Sequence, residues 1–312
     1  MKSNSSATLD LASPISRSRH GLWWGLLGVT AFSFTVPFTR FVVENGQMSP
    51  LFVGSGRAVI AAMLAAVALW VTRQRPPRGR QWIQVAVVGA GVVLGFPMLT
   101  SFALTAVPAS HGIVVIATLP AATAVIAVLR TKERPGPSFW AAAAVGAVAA
   151  VAFALVQGGG FGELHLADLL LFAAVIACAI GYAEGGLLSR ELGSWQTISW
   201  GLVLTSPVML LFTGIAVAQQ PPTATAIEWS AFAYLAAVSM FLGFFAWYRG
   251  LAIGPMAQVS QVQLSQPVMG IAWAGLLLGE QITGTTVVGG VAVIACALVA
   301  VRARSRRQQL ST

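Results

Sequence analysis

The side chains able to do chemistry are few and scattered. The histidines are His20, His111 and His165, and only His111 falls at helix depth. The cysteines, Cys178 and Cys296, sit far apart within apolar runs, as small packing residues do. No His/Cys cluster with metal-ligand spacing, no paired carboxylates within apolar runs and no Gly-rich phosphate loop occurs. The sequence therefore implies no catalytic constellation, no metal and no cofactor. What it offers is binding chemistry. Arg57 and Glu184 stand inside apolar runs, where a charge is expensive and a functional suspect. The run QVSQVQLSQP at 258–267 places four glutamines and two serines in ten positions, with strongly apolar chain on both sides. Neutral amides and hydroxyls replace water around a polar solute. Each such bond is worth only about 1 kcal/mol net, so the solute can leave again.

These residues must be positioned by elements that suit their surroundings. Of 312 residues, 57% are hydrophobic and 9% charged, against about 25% charged in a soluble domain. An apolar window of about 20 residues selects ten segments, at 21–43, 50–71, 82–103, 110–130, 137–156, 167–188, 196–218, 229–249, 256–278 and 284–302. The runs are continuous, unlike the alternating segments of a membrane barrel. The expected fold is an all-α integral membrane protein with ten transmembrane helices. Residues 1–20 are polar, Ser-rich and carry Arg17 and Arg19, so a disordered tail is expected there and not a cleavable signal.

The net charge of +9 is a topology signal, and nucleic acid is not an expected partner. Arg73, Arg75, Arg78 and Arg80 lie between segments 2 and 3; Arg130, Lys132 and Arg134 lie between 4 and 5. Arg190 follows segment 6, Arg249 ends segment 8, and Arg302, Arg304, Arg306 and Arg307 close the chain. With ten alternating helices all of these share one side with Lys2, Arg17 and Arg19. The opposite loops hold Glu44, Glu163, Asp168, Glu228 and Glu280. The positive-inside bias then puts both termini in the cytoplasm of a multi-pass inner (plasma) membrane protein, with anionic lipids as partners on that side.

A shift of 147 residues aligns 104–133 with 251–280 without a gap. Pro108 meets Pro255, Pro120 meets Pro267, and Glu133 meets Glu280. Apolar matches are cheap in this composition; two prolines and a glutamate in register are not, so duplication is implied. Five helices per unit is odd, so the copies enter the membrane from opposite sides as inverted repeats, an arrangement used by secondary transporters. The expected organisation is a cytoplasmic tail at 1–19, a first five-helix repeat at 20–157, a second at 158–303 and a basic cytoplasmic tail at 304–312.

The residues FSFTVPFTR (32–40), GRAVIAAML (56–64), ALTAVPAS (103–110) with TLP and KER following, and WYRGLAIGPMA (247–257) with SQP and GEQIT following carry a resemblance. By their order and duplication the chain resembles the EamA-type branch of the drug/metabolite transporter superfamily over nearly its whole length. One departure is Phe32-Ser33, where many relatives have Trp-Gly. The resemblance implies a ten-helix carrier, usually an exporter of amino acids, related metabolites or drugs. Without a catalytic constellation no enzyme is expected, and an integral-membrane enzyme is the lesser alternative.

Within that frame helix 9 is the leading binding element. At about 100° per residue, Gln258, Gln261 and Ser265 share one stripe, Gln263 and Gln266 flank it, and Ser260 faces away. Such a stripe faces either a wet cavity or another helix as hydrogen-bonding glue. The aligned positions of helix 4 are apolar (Val114, Ile116 and Leu119 against Gln261, Gln263 and Gln266), which favours the cavity. Pro120 and Pro267, with Pro37, are mid-helix kink positions, either fixed or serving the site. Arg57 holds a substrate carboxylate or pairs internally. Trp273, Phe102 and Tyr248 supply apolar and stacking surface. His111 and Glu184 are the coupling candidates, against bland roles as interfacial groups. Arg40 and Glu44 are spaced for an i, i+4 ion pair. With no Lys or Arg on helix 9, phosphate-bearing substrates are disfavoured. The expected cargo is a small amphipathic metabolite such as an amino acid; the alternative, a lipophilic cation or drug, requires a carboxylate in the cavity.

Overall fold

A long apolar run in lipid has one local solution, because only a helix satisfies each backbone N–H and C=O within the segment. The computed structural model describes residues 14–132, 136–157, 165–253 and 262–310, and no strand occurs among them. Eight helices are long and apolar enough to cross a membrane: α1 (His20–Glu44), α2 (Pro50–Val71), α3 (Gln81–Ala103), α4 (Ala109–Arg130), α5 (Pro137–Val156), α6 (Leu166–Leu192), α7 (Ser194–Gln219) and α8 (Ala226–Gly250). Two more follow: α9 (Gln266–Leu278), and α10 (Gly284–Leu310), which is apolar over Gly284–Val299. Ten spans are the expectation; eight reach full length among the described residues.

Local chemistry sets the ends. Ser49 caps α2 by accepting from Phe52 N, with Pro50 at the first helical position. Thr225 and Glu228 form a reciprocal capping box at the start of α8. Gly193, at φ 103°, lets α6 end and α7 begin within one residue.

Several helices are interrupted inside the bundle. α1 breaks at Phe34. α3 and α8 pass through π-helical segments, Gly89–Gly95 and Leu235–Leu242. α4 breaks at Ala117 and Thr118 into Ala109–Ile116 and Leu119–Thr131, and a 3-10 turn, Gln263–Ser265, leads into α9. This corrects the expectation of prolines kinking continuous helices. Pro120 and Pro267 are each the second residue of a fresh segment, where a missing N–H costs nothing.

These features recur at one spacing. Leu119–Thr131 and Gln266–Leu278 are both 13 residues long, lie 147 apart, and end on left-handed residues, Lys132 (φ 57°) and Gly279 (φ 67°). The two π-helical segments keep that spacing to within one residue.

Small residues allow the closest crossings. α1 and α8 run antiparallel: Arg249 lies 5.0 Å over the Trp24 ring, and a Cβ on Gly28 would strike the Trp247 backbone. α3 lies against α6, where a Cβ on Gly91 would strike Ala177 O and the Gly181 backbone. The buried core gathers where α1, α4, α6 and α8 meet, around Val36, Val114, Leu171 and Leu235.

Candidate functional site

Arg57 decides where the site lies. It is the eighth residue of α2, and packing against α1 and α8 leaves it 1% exposed. Its Nη1 donates to Thr39 Oγ1 at 3.2 Å, while Nε and Nη2 have no hydrogen-bond partner among the described residues. A buried guanidinium with open donors is costly, several kcal/mol, unless something occupies them. Thr39 in turn donates to Thr35 O at 2.6 Å, and Thr35 Oγ1 lies 2.7 Å from Ser239 Oγ on α8. A polar track thus crosses from α2 through α1 to α8 within an apolar bundle.

A cavity opens along this track. It holds ≈ 40 Å³ of water-accessible space and is lined by Arg57, Thr35, Ser239, Gln266, Cys178 and Tyr182, with walls of Phe32, Phe96, Met240 and Phe244. A second cavity, ≈ 20 Å³, adjoins it between α1, α4 and α9, where Ile113, Ile116 and Pro120 face Gln263, Gln266 and Gly270. Phe32, Val36, Leu119 and Gln266 border both. Such volumes admit a few waters, whereas small-molecule pockets run to several hundred Å³. A third cavity, ≈ 310 Å³, lies among α4, α5, α6 and α10; its wall is apolar apart from Thr118 and lacks groups to orient a polar solute.

The structure rearranges the predicted polar stripe. Gln263, 6% exposed, and Gln266 face the cavities, although the helical wheel puts them on the flanks. The 3-10 turn at Gln263–Ser265 advances each residue by more than an α-helix does, so a 100° wheel cannot be carried across it. Ser265 turns its hydroxyl to Val262 O at 2.7 Å and does not line either cavity. Gln258 and Gln261 lie outside the described residues, as do Ser260, Pro255 and Glu133.

The aromatic candidates separate. Trp273 donates Nε1–H to Ser33 Oγ at 2.9 Å and stacks on Phe34 at 4.6 Å, beside the cavities and not in their walls. Phe102 is 41% exposed on the bundle surface. Tyr248 is buried against Phe244, and its hydroxyl has no partner among the described residues. Pro37 lies in the first turn after the α1 break, one residue from the cavity-lining Val36.

The two coupling candidates are both paired. Glu184 accepts from Arg130 Nε at 2.8 Å and Nη2 at 3.1 Å, and from Gln84 Nε2 at 2.8 Å, which ties α6 to α4 and α3. It does not line the Arg57 cavity. His111 Nε2 lies 2.7 Å from Asp168 Oδ1. Asp168 is 1% exposed, so assigning it to a loop is corrected: it is the third residue of α6, turned inward, and its Oδ2 accepts from His165 N at 3.1 Å. Glu280 reaches back across the fold, accepting from Ala109 N at 2.6 Å and Ser110 N at 2.9 Å, beside the N-cap residue Pro108. Arg40 and Glu44 form the expected pair at 2.6 Å.

Sequence reasoning missed Thr35, Thr39, Ser239 and Asp168. A lone Ser or Thr in an apolar helix commonly bonds its own backbone, as Ser55 does to Leu51 O, so its presence signals nothing by itself. For Asp168 a signal existed: an acid three residues after His165, at the start of an apolar run, has capping-box spacing.

A model of the EamA-like transporter family matches the chain twice, over residues 19–155 and 165–302. The "Uncharacterized transporter YdeK" of Bacillus subtilis (strain 168) is 43% identical over 92% of this chain and 99% of that protein. A protein of Streptantibioticus cattleyicolor named "Probable terminal-alkyne amino-acid exporter" is 26% identical over 93% of this chain and 97% of its own length. A solved crystal structure shares the fold with a TM-score of 0.63, at 18% identity, over 92% of this chain and 99% of that one.

Proposed function

The chain belongs to the EamA-like transporter family, and we propose that it is a secondary exporter of small amphipathic solutes bearing a carboxylate, amino acids foremost. The observation that carries this reading is Arg57, buried at the cavity with two guanidinium nitrogens unpartnered among the described residues. A carboxylate there forms a charge-assisted, fork-shaped pair. Thr35, Ser239 and Gln266 offer neutral partners to an amino group, and Phe32, Phe96 and Phe244 offer apolar surface to a side chain. The relative named for amino-acid export supports the same cargo class.

The proposed mechanism is alternating access between two inverted five-helix repeats, with ten spans and both termini cytoplasmic. The two family matches, the 147-residue recurrence of breaks and left-handed caps, and the one-sided arginines support it. The cavity borders α1, α2, α3 and α4 of one half and α6, α8 and the start of α9 of the other, so a rocking of the halves changes its access. A cationic cargo fits less well, because among the described residues no carboxylate lines the Arg57 cavity and Glu184 is engaged by Arg130.

The test is Arg57→Gln in proteoliposomes, assayed with amino acids and with their amides. Losing one charge-assisted contact of about 1.5–3 kcal/mol lowers affinity for the acids roughly ten- to hundredfold. The amides should be spared. Equal losses for acids and amides would return Arg57 to a structural role.

A further inference from the structure

The buried His111–Asp168 pair is used by nothing in the binding reading, yet it is built with care. His111 belongs to the short first segment of α4, Ala109–Ile116, which the break at Ala117 and Thr118 separates from the rest of that helix. The segment carries Ile113 and Ile116 into the cavity wall opposite Gln263 and Gln266. His111 reaches away from that cavity to Asp168 on α6, with the Phe153 ring of α5 5.3 Å from the imidazole. Side-chain exposure is 6% for His111 and 1% for Asp168, so water does not screen the contact.

Two carboxylates stand close to the imidazole and its segment. Asp168 faces it directly from α6, with its second oxygen held by His165 N. Glu280, after α9, places its carboxylate on the N–H groups of the two residues preceding His111. His165 stands at the start of α6 beside Asp168. Arg40 of α1 donates to Leu104 O and Thr105 O in the approach to α4 and is paired with Glu44. Neither α5 nor α9 has an ionisable side chain, and α10 over Gly284–Val299 brings only Cys296.

We propose that His111 is the proton-binding group of a latch at the Pro108 end of α4: as imidazolium it ties the Ala109–Ile116 segment to Asp168, and on losing its proton it frees that segment to open the cavity. Histidine changes charge between pH 5 and 8, and a charge-assisted bond is roughly twice as strong as a neutral one. The break at Ala117 and Thr118 is the hinge. Under the proposed topology this end faces outward, so the proton is taken from and returned to the outer aqueous phase. The latch adds regulation to the transport reading, but its test reads conformation alone, so either can fail while the other stands.

The experiment uses the full chain in lipid nanodiscs. Isotope-labelled histidine gives at most three imidazole signals, His20, His111 and His165, and the His111 signal is assigned as the one that persists in both His20→Gln and His165→Gln. In a Cys178→Ala, Cys296→Ala background, Ile113→Cys is labelled with a maleimide. Its rate is taken relative to the exposed Thr223→Cys, which cancels the reagent's own pH dependence. The expected result is that the His111 signal changes charge state between pH 5 and 8, and that relative labelling rises at least fivefold over the same interval as pH increases. In His111→Gln the relative rate should be flat. Labelling that is flat while His111 titrates, that changes while His111 does not, or that keeps its pH dependence in His111→Gln would overturn the latch. The first two comparisons need only protein with His111 intact, so the proposal stays decidable if His111→Gln fails to fold.

Discussion

α4 and α9 stand in the same place 147 residues apart and do different work. Both second segments are 13 residues long, both have proline at the second position, and both end on a left-handed residue. Their side chains diverge. α4 is fastened by a polar pair at each end, His111 with Asp168 and Arg130 with Glu184, and α6 holds both acids. α9 and the turn before it present neutral amides, Gln263 and Gln266, to the cavities. The two segments share their backbone breaks, which are set by local residues, while their side chains differ: one helix is tied to α6 by paired polar groups, and the other turns amides to the cavities.

The comparison is open to breakage. Asp168→Ala removes the partner of a buried histidine and an acceptor for His165 N, and should destabilise the protein by about 3 kcal/mol. Thermal unfolding in detergent measures this, and an unchanged midpoint would mean that the His111–Asp168 pair does not anchor α4. Gln266→Leu should leave the unfolding midpoint nearly in place, within about 1 kcal/mol. It should lower amino-acid transport at least tenfold, equivalent to about 1.4 kcal/mol. Unfolding of Gln266→Leu would make α9 packing glue. Ser265→Ala should change transport by less than about twofold, since its hydroxyl serves its own backbone at a net worth of only about 1 kcal/mol at most.

The smallest effect tests the shared backbone. Lys132 and Gly279 adopt the same left-handed conformation, which glycine enters without a Cβ penalty. Lys132→Gly should stabilise by up to about 1 kcal/mol, and Gly279→Ala should destabilise by a similar amount. Opposite signs at the two caps, read from chemical denaturation, sharpen the equivalence. The same sign at both would mean that the caps are not equivalent.

Several features were legible in advance. The apolar runs foretold α1 to α8 because in lipid a run of that length has only the helical solution. The aligned prolines marked both helix breaks, although the breaks precede the prolines instead of bending a continuous helix around them. Arg57 and the Gln263 and Gln266 amides were candidates because such groups are expensive among apolar neighbours, and the structure places all three at the cavities.

Chain length in apolar residues, proline and glycine positions and the repeat spacing were decided by the sequence itself, because their causes act within a turn or two of backbone. Which polar groups meet was decided only by the tertiary structure. Thr39 becomes the partner of Arg57 because α1 packs against α2, and Ser239 joins Thr35 from 204 residues away because α8 lies antiparallel to α1. Asp168 resembles a loop acid in sequence and becomes a buried partner because its helix starts at Leu166 and turns it toward α4. Facing is equally non-local: a π-helical segment or a 3-10 turn shifts the helical phase by tens of degrees. No wheel drawn at one period therefore predicts the residues beyond it, and the cavity-facing amides follow from that turn and from the α1 and α4 surfaces against which it packs.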